Sequence, residues 1–208
     1  MDCHNCHQSC HPKRQNKGRK LFGFGSNKIA KKSFDRDAST TIALVGSPNV
    51  GKSLLFNLLT GTYVTVSNYP GTTVEVTQGN TIIAGEKVTF FDTPGMYSLI
   101  PITEEERVAR DLITNQTVDL VIHVIDAKHL GRMLNLTWQL IETQLPVLLV
   151  VNMIDEAQKL GIWVNEDRLA YKLGIPVVTM AAAQKIGLKK LTAKIADHVQ
   201  STSLSLTY

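Results

Sequence analysis

The sequence predicts a three-layer α/β/α domain on a mostly parallel central sheet, and three observations carry that prediction. Short runs dense in Val, Ile and Leu recur at residues 41–45, 118–125, 146–151 and 176–180. They are continuous rather than alternating, as strands buried on both faces are. Helical patterns lie between them, at residues 53–60, 103–112, 134–142, 166–173 and 188–199. Such alternation, with right-handed crossovers, covers a parallel sheet on both sides and places ligands at the carboxyl ends of its strands.

Taken in order, the β-branched run 41–45 leads into a Gly/Pro/Asn loop and then a helix. Residues 74–77 and 82–83 read as strand segments around a turn, and 87–91 is a strand ending at Asp92. The charged helix 103–112 precedes the buried strand 118–125. An amphipathic helix at 134–142, a strand at 146–151 and a helix at 166–173 follow. The strand 176–180 and a closing helix complete the domain.

Composition sets the frame. A 208-residue chain that is 43% hydrophobic and 19% charged suits one globular domain with a tail. Its apolar runs fall well short of the roughly 20 residues that span a bilayer, and the polar N-terminus carries no secretory pattern. A soluble, cytoplasmic protein is expected. Residues 1–37 hold nine of the 22 Lys/Arg but three of the 18 Asp/Glu, so the net +4 belongs to this tail. The expected division is a flexible Cys/His-containing basic tail at 1–37, a globular domain at 38–200 and a C-terminal tail at 201–208.

The chemistry begins with Gly46-Ser47-Pro48-Asn49-Val50-Gly51-Lys52-Ser53, which fits G-x-x-x-x-G-K-[ST] between a predicted strand and helix. The glycines let the backbone wrap a phosphate with N–H groups pointing inward, and the helix N-terminus adds partial positive charge. Lys52 is expected on the β- and γ-phosphates and the Ser53 hydroxyl on Mg²⁺.

Asp92-Thr93-Pro94-Gly95 follows at a strand tip. Asp92 suits a second, water-mediated Mg²⁺ anchor, and the Gly95 amide suits a sensor of the γ-phosphate. The same four residues also make a good turn. Between the two motifs, residues 67–75 include Gly71, Thr72, Thr73, Val74 and Glu75. They read as a mobile loop closing a threonine over Mg²⁺, or as a β-turn before a Thr-rich strand. Thr72 and Thr73 both qualify.

Asn152-Met153-Ile154-Asp155 supplies N-x-x-D after the strand at 146–151. A carboxylate at 155 accepting two N–H bonds selects guanine, because leaving it unpaired against another base is costly. Asn152 should meet N7 and brace the phosphate loop. Ala181-Ala182-Ala183 should offer a backbone N–H to guanine O6. The order of the three motifs makes this a P-loop GTPase domain that takes GTP and GDP with Mg²⁺.

The segments GSPNVGKSLLFNLLTG, SNYPGTTVE, DTPGMYSL, EEERVARD, VIDA, NLTWQLIE, VNMID and LGIPVV, spread over residues 41 to about 199, resemble the cytosolic G domain of the ferrous-iron transport protein B (FeoB) family. That resemblance implies a domain at the cytoplasmic face of a polytopic permease, using GTP to regulate Fe²⁺ uptake. By position it makes Thr73 the switch threonine and associates Asn49 with a K⁺ ion beside the phosphates. Lys52, Thr73 and Gly95 become the catalytic set. Met96 stands where many GTPases have a water-positioning glutamine, which implies slow hydrolysis. Ser47, Thr93 and Ala181 depart from residues common in the family (Asn, Leu and Ser), and Ala181 lacks a hydroxyl that would brace its loop.

Two rival readings share the nucleotide motifs. One is a ribosome-assembly GTPase gripping RNA through its basic tail; the other is a switch module with negligible turnover. The favoured reading expects no nucleic acid, and its partners are guanine nucleotide and the permease portion. In the tail, Cys3, Cys6 and Cys10 with His4, His7 and His11 place six metal-ligand types within nine residues. That set suits Zn²⁺ or Fe²⁺ as a sensor, or incidental metal uptake. The Lys/Arg residues between 13 and 32 suit anionic lipid, RNA or plain solvation.

Overall fold

The structure is a computed structural model that describes residues 40–61, 64–115 and 118–205. The candidate metal ligands of the tail, Cys3, Cys6 and Cys10, lie outside the described residues. Seven strands form one sheet: β1 (Thr40–Val45), β2 (Val64–Asn68), β3 (Glu75–Ile83), β4 (Glu86–Asp92), β5 (Leu120–Asp126), β6 (Val147–Asn152) and β7 (Val177–Thr179). Their spatial order is β2-β3-β4-β1-β5-β6-β7. The pairings β4–β1, β1–β5, β5–β6 and β6–β7 are parallel; β3 runs antiparallel to β2 and β4.

Among the described residues six α-helices accompany the sheet: α1 (Lys52–Thr60), α2 (Glu104–Asn115), α3 (Leu130–Glu142), α4 (Ile154–Lys159), α5 (Glu166–Leu173) and α6 (Leu188–Ser205). The period of two in β1 sorts its side chains between the two covered faces. Ile42 and Leu44 join Leu55 and Phe56 of α1 and Leu191 and Ile195 of α6. Ala43 and Val45 join Ala109 and Ile113 of α2 and Leu136 and Leu140 of α3. Every residue of β5 and β6 is buried, which is why those stretches read as unbroken apolar runs.

The antiparallel edge departs from the sequence reading. Residues 75–83 form one strand, and the turn expected within it sits at Ala84–Gly85, both at positive φ (53° and 86°). Gln78, Gly79 and Asn80 are weak strand formers, yet pairing with β2 and β4 on both sides overrides local preference. Gly79 is also required for packing, since a Cβ there would stand 2.7 Å from Thr60 Cγ2 and 3.0 Å from Phe56 Cζ.

Strand β2 was not anticipated. Ser67 and Asn68, read as the start of a loop, are its last residues, and all five of its residues are exposed. Helix α4, six residues long, escaped the pattern as well. Helix α6 runs to Ser205, past the boundary expected at 200. Among the described residues no helix is long and apolar enough to cross a membrane.

Candidate nucleotide site

All five parallel strands end at one edge of the sheet, and the predicted motifs gather there. The phosphate loop leaves β1 at Gly46, whose φ of 151° no β-carbon would tolerate: a Cβ would meet the Val124 carbonyl oxygen at 2.2 Å. Asn49 (φ 63°) and Gly51 (φ 91°) turn the chain into α1 in left-handed conformations. Pro48 and Asn49 are exposed at the crest, while Gly46, Ser47 and Val50 are buried.

Asn152, at the tip of β6, ties this loop to two others. Its Nδ2 donates to the Val50 carbonyl at 3.0 Å, and its Oδ1 accepts from the Ala182 amide at 2.9 Å. Both bonds are buried. One side chain thus cross-links the phosphate loop, the N-x-x-D motif and the loop after β7. The predicted bracing role of Asn152 is visible in these bonds. Met153 turns at φ 62° and starts α4, so Asp155 falls in that helix's first turn, half-buried. Ala181 and Ala182 are buried and Ala183 is exposed.

The charged centre lies between β1 and β4. Lys52 is 8% exposed, and its Nζ donates to the Ser47 carbonyl at 3.2 Å. Burial lowers its pKa, while the Asp92 charge acts in the opposite direction. For Asp92 burial raises the pKa, opposed by a hydrogen bond from Ser53 and by the Lys52 charge. Asp92 Oδ1 is buried without a hydrogen-bond partner. A buried carboxylate oxygen lacking a partner is costly, so it marks where a ligand is expected. Beside the Ser53 hydroxyl, this donor set fits Mg²⁺, a hard cation that takes oxygen.

Gly95 packs directly on the phosphate loop: a Cβ there would lie 2.6 Å from Pro48 Cγ. The Met96 amide donates to the Gly46 carbonyl at 3.1 Å, so the two loops are also joined through backbone. The Thr93 hydroxyl donates to the Leu44 carbonyl at 2.8 Å and is buried, anchoring its loop to β1. The Met96 side chain is wholly buried among α2 and α3 residues. It faces the core and is not placed to touch an attacking water.

The turn between β2 and β3 is a compact hairpin corner. The Tyr69 amide donates to the Val74 carbonyl at 2.8 Å, and the Thr72 hydroxyl donates to the Tyr69 carbonyl at 3.0 Å. Thr72 is occupied holding the turn. Gly71 (φ 81°) forms its tip, Val74 is half-buried, and Thr73 and Glu75 are exposed. Thr73 therefore stands at the surface instead of joining Ser53 and Asp92.

Three contributors were not singled out from sequence. The Glu106 carboxylate accepts from the amides of Tyr97 (3.3 Å), Ile102 (2.9 Å) and Thr103 (3.4 Å). The Ile102 bond leads in holding its pKa below the ordinary value, against burial. Thr103 returns the favour, its hydroxyl accepting from the Glu106 amide at 3.2 Å, so T-x-x-E spacing is the signal that finds this capping box. Gln139 on α3 accepts from the Leu99 amide at 2.8 Å and from the Ser98 hydroxyl at 3.1 Å. The third is Gln184, whose Nε2 donates to Asp155 Oδ2 at 2.9 Å. No local pattern marks either glutamine.

A family model described as "Ferrous iron transport protein B" matches residues 40–195. The chain belongs to the FeoB family. An Fe(2+) transporter FeoB of Helicobacter pylori is 43% identical over 130 residues, which are 62% of this chain and 20% of that protein. The Escherichia coli K12 FeoB is 42% identical over 134 residues, 62% of this chain and 17% of that protein. The matching region is thus about a fifth of the FeoB relatives' length.

The G domain of T. maritima FeoB superposes with a TM-score of 0.71 at 38% identity, covering 77% of this chain and 98% of that one. A variant S. thermophilus FeoB domain solved with GDP gives 0.72 at 44% identity, covering 78% and 64%. The fold is accordingly a FeoB G domain, a mixed, mostly parallel sheet flanked by helices. Nothing in these comparisons supports the RNA-binding, ribosome-assembly alternative.

Proposed function

We propose that this domain binds GTP and GDP with Mg²⁺, hydrolyses GTP slowly, and serves as the regulatory switch of a ferrous-iron transporter. The observation that carries the reading is the pair of buried bonds from Asn152 to Val50 and Ala182. They fix the phosphate-gripping loop and the base-reading motif as one unit, so a single ligand carrying both a polyphosphate and a guanine satisfies it. The GDP bound to the related S. thermophilus domain supports that ligand.

In this reading the amides of residues 46–53 and the Lys52 ammonium hold the phosphates, and Asp155 accepts from the base. The loop at Ala181, Ala182 and Ala183 supplies its amide to guanine O6. Ser53, Asp92 and, once the 69–74 turn has rearranged, Thr73 would hold Mg²⁺, which would supply positive charge to offset that of the phosphates. Asn49, exposed at the crest of the loop, would be available to a K⁺ ion beside the phosphates. Hydrolysis adds a water oxygen to the γ-phosphorus and breaks its bond to the β–γ bridging oxygen, releasing GDP and phosphate. Lys52 and the Gly95 amide stabilise the charge that gathers during that exchange. With Met96 turned into the core, the position directly after Gly95 offers no group to orient the water, which supports a slow rate.

Joined to a permease portion, the domain would stand at the inner face of the membrane and report its nucleotide state to the channel. Equilibrium binding of GTP against ATP, with Lys52→Ala and Asp155→Ala, tests the core of this reading. Strong preference for GTP, lost with Asp155 and weakened at least tenfold without Lys52, is expected; equal affinity for ATP overturns it. Single-turnover hydrolysis in K⁺ against Na⁺ then separates an active GTPase from a binding module with negligible turnover.

A further inference from the structure

We propose that Gln184 is a positioning residue for base recognition: its side-chain amide holds the Asp155 carboxylate in the orientation that reads guanine. The proposal rests on guanine-nucleotide binding as argued above and adds a residue to that site.

An aspartate in the first turn of a short helix swings about a broad terminal torsion unless something fixes it. Within the turn that carries Gln184, the buried Ala181 side chain is a methyl with no hydrogen to donate. Gln184 reaches across from the far side of the same loop, its Nε2 donating to Asp155 Oδ2 at 2.9 Å.

The platform beneath Gln184 is rigid. Residues Ala182–Gln184 form a 3₁₀ turn, closed by the Gln184 amide donating to the Ala181 carbonyl at 3.0 Å. Ala181 and Ile186 exchange two backbone bonds, at 3.1 and 3.2 Å, and Lys185 takes a left-handed conformation (φ 59°) to make this possible. Gly187 follows at φ 82°, where a Cβ would meet the Thr179 carbonyl oxygen at 2.6 Å. The Ala182 amide is itself fixed by Asn152. Gln184 therefore projects from the element already clamped to the phosphate loop, and it passes that rigidity to Asp155.

The bond does not compete with the base. Each carboxylate oxygen has two acceptor sites, so Oδ2 can accept from Gln184 and still accept one guanine N–H, while Oδ1 takes the other. Gln184 is also neutral, which leaves the full negative charge of Asp155 for the ligand's donors.

Calorimetric titration of the whole chain with GDP and Mg²⁺ tests this. Gln184→Ala should weaken GDP binding about three- to tenfold, as loss of an exposed bond to a charged acceptor does. Gln184→Glu, which keeps the reach but sets a second carboxylate against Asp155 in place of the donor, should weaken GDP binding at least as much as Gln184→Ala. On an Asp155→Ala background, Gln184→Ala should cost nothing further, an outcome a merely structural role would not produce. Unchanged or tighter GDP binding by Gln184→Ala overturns the proposal, tightening being the mark of an amide that occupies the base's place. An equal loss on the Asp155→Ala background overturns it too. Failure of the original chain to bind GDP overturns the guanine-nucleotide reading itself.

Discussion

The base-and-phosphate half of the site and the switch half are built differently. Residues 46–53, 152–155 and 181–187 are joined by buried bonds through Asn152 and by the close approach of Gly51 to its side chain, and the turn after β7 is closed by paired amides. Residues 97–103 are held by partly buried bonds to the Gln139 and Glu106 side chains, and 69–74 by two backbone bonds of its own turn and the Thr72 hydroxyl. The first region is preorganised, so ligand binding orders little and loses little affinity to entropy. The second is held by bonds closer to solvent, the kind that open at lower cost, and in the proposed function it is the part that rearranges with the γ-phosphate.

The sharpest way to break this contrast is Asn152→Ala. It strands the Val50 carbonyl and the Ala182 amide in a buried setting, and a destabilisation of about 2–5 kcal/mol is expected in denaturant unfolding. A loss below about 1 kcal/mol would mean that the loops are held by something other than this side chain. Gly95→Ala probes the seam between the halves. Its Cβ collides with the Pro48 ring, so a cost of about 1–3 kcal/mol and a lower single-turnover rate should appear together.

Glu106→Gln acts on the switch half alone and should cost about 1–2 kcal/mol at neutral pH, with a larger effect on amide hydrogen exchange at 97–103 than elsewhere. Because the Glu106 carboxyl is held below its ordinary value, its stabilisation is full above about pH 4.3 and fades as the pH falls through the lower folded value. The penalty of the glutamine variant should shrink over the same range. Met96→Leu should do least: a volume-conserving core change costing under about 1.5 kcal/mol with kcat unchanged. A drop in kcat at unchanged stability would put the thioether back in the chemistry.

Legibility in the sequence followed the same division. The parallel strands and the phosphate loop were readable because burial on both faces leaves unbroken apolar runs, and because a phosphate cradle demands glycines at fixed spacing. Residues 166–173 were read as the helix that forms there, started by the Asn165 cap and stopped by Gly174. The antiparallel edge was not readable. β2 has no buried residue to impose a pattern, and Gln78-Gly79-Asn80 become strand only because β2 and β4 flank them. Within the site, sequence order placed Asp92 and Asn152 correctly at strand tips. It could not show that Thr72 spends its hydroxyl on its own turn, that Met96 turns inward, or that two glutamines distant in sequence hold Leu99 and Asp155.

His123 is another feature of the interior with reach beyond its surroundings. It sits in the middle of β5, wholly enclosed, with Nδ1 3.0 Å from the Thr137 hydroxyl, and burial together with the Lys52 charge pushes its pKa down to about 3. Kept neutral in the fold and free to ionise when unfolded, it makes acidification below about 6.5 an unfolding force, growing by up to about 1.4 kcal/mol for each unit of pH. Mild acid therefore works against the sheet from its centre. Near neutrality that force is small.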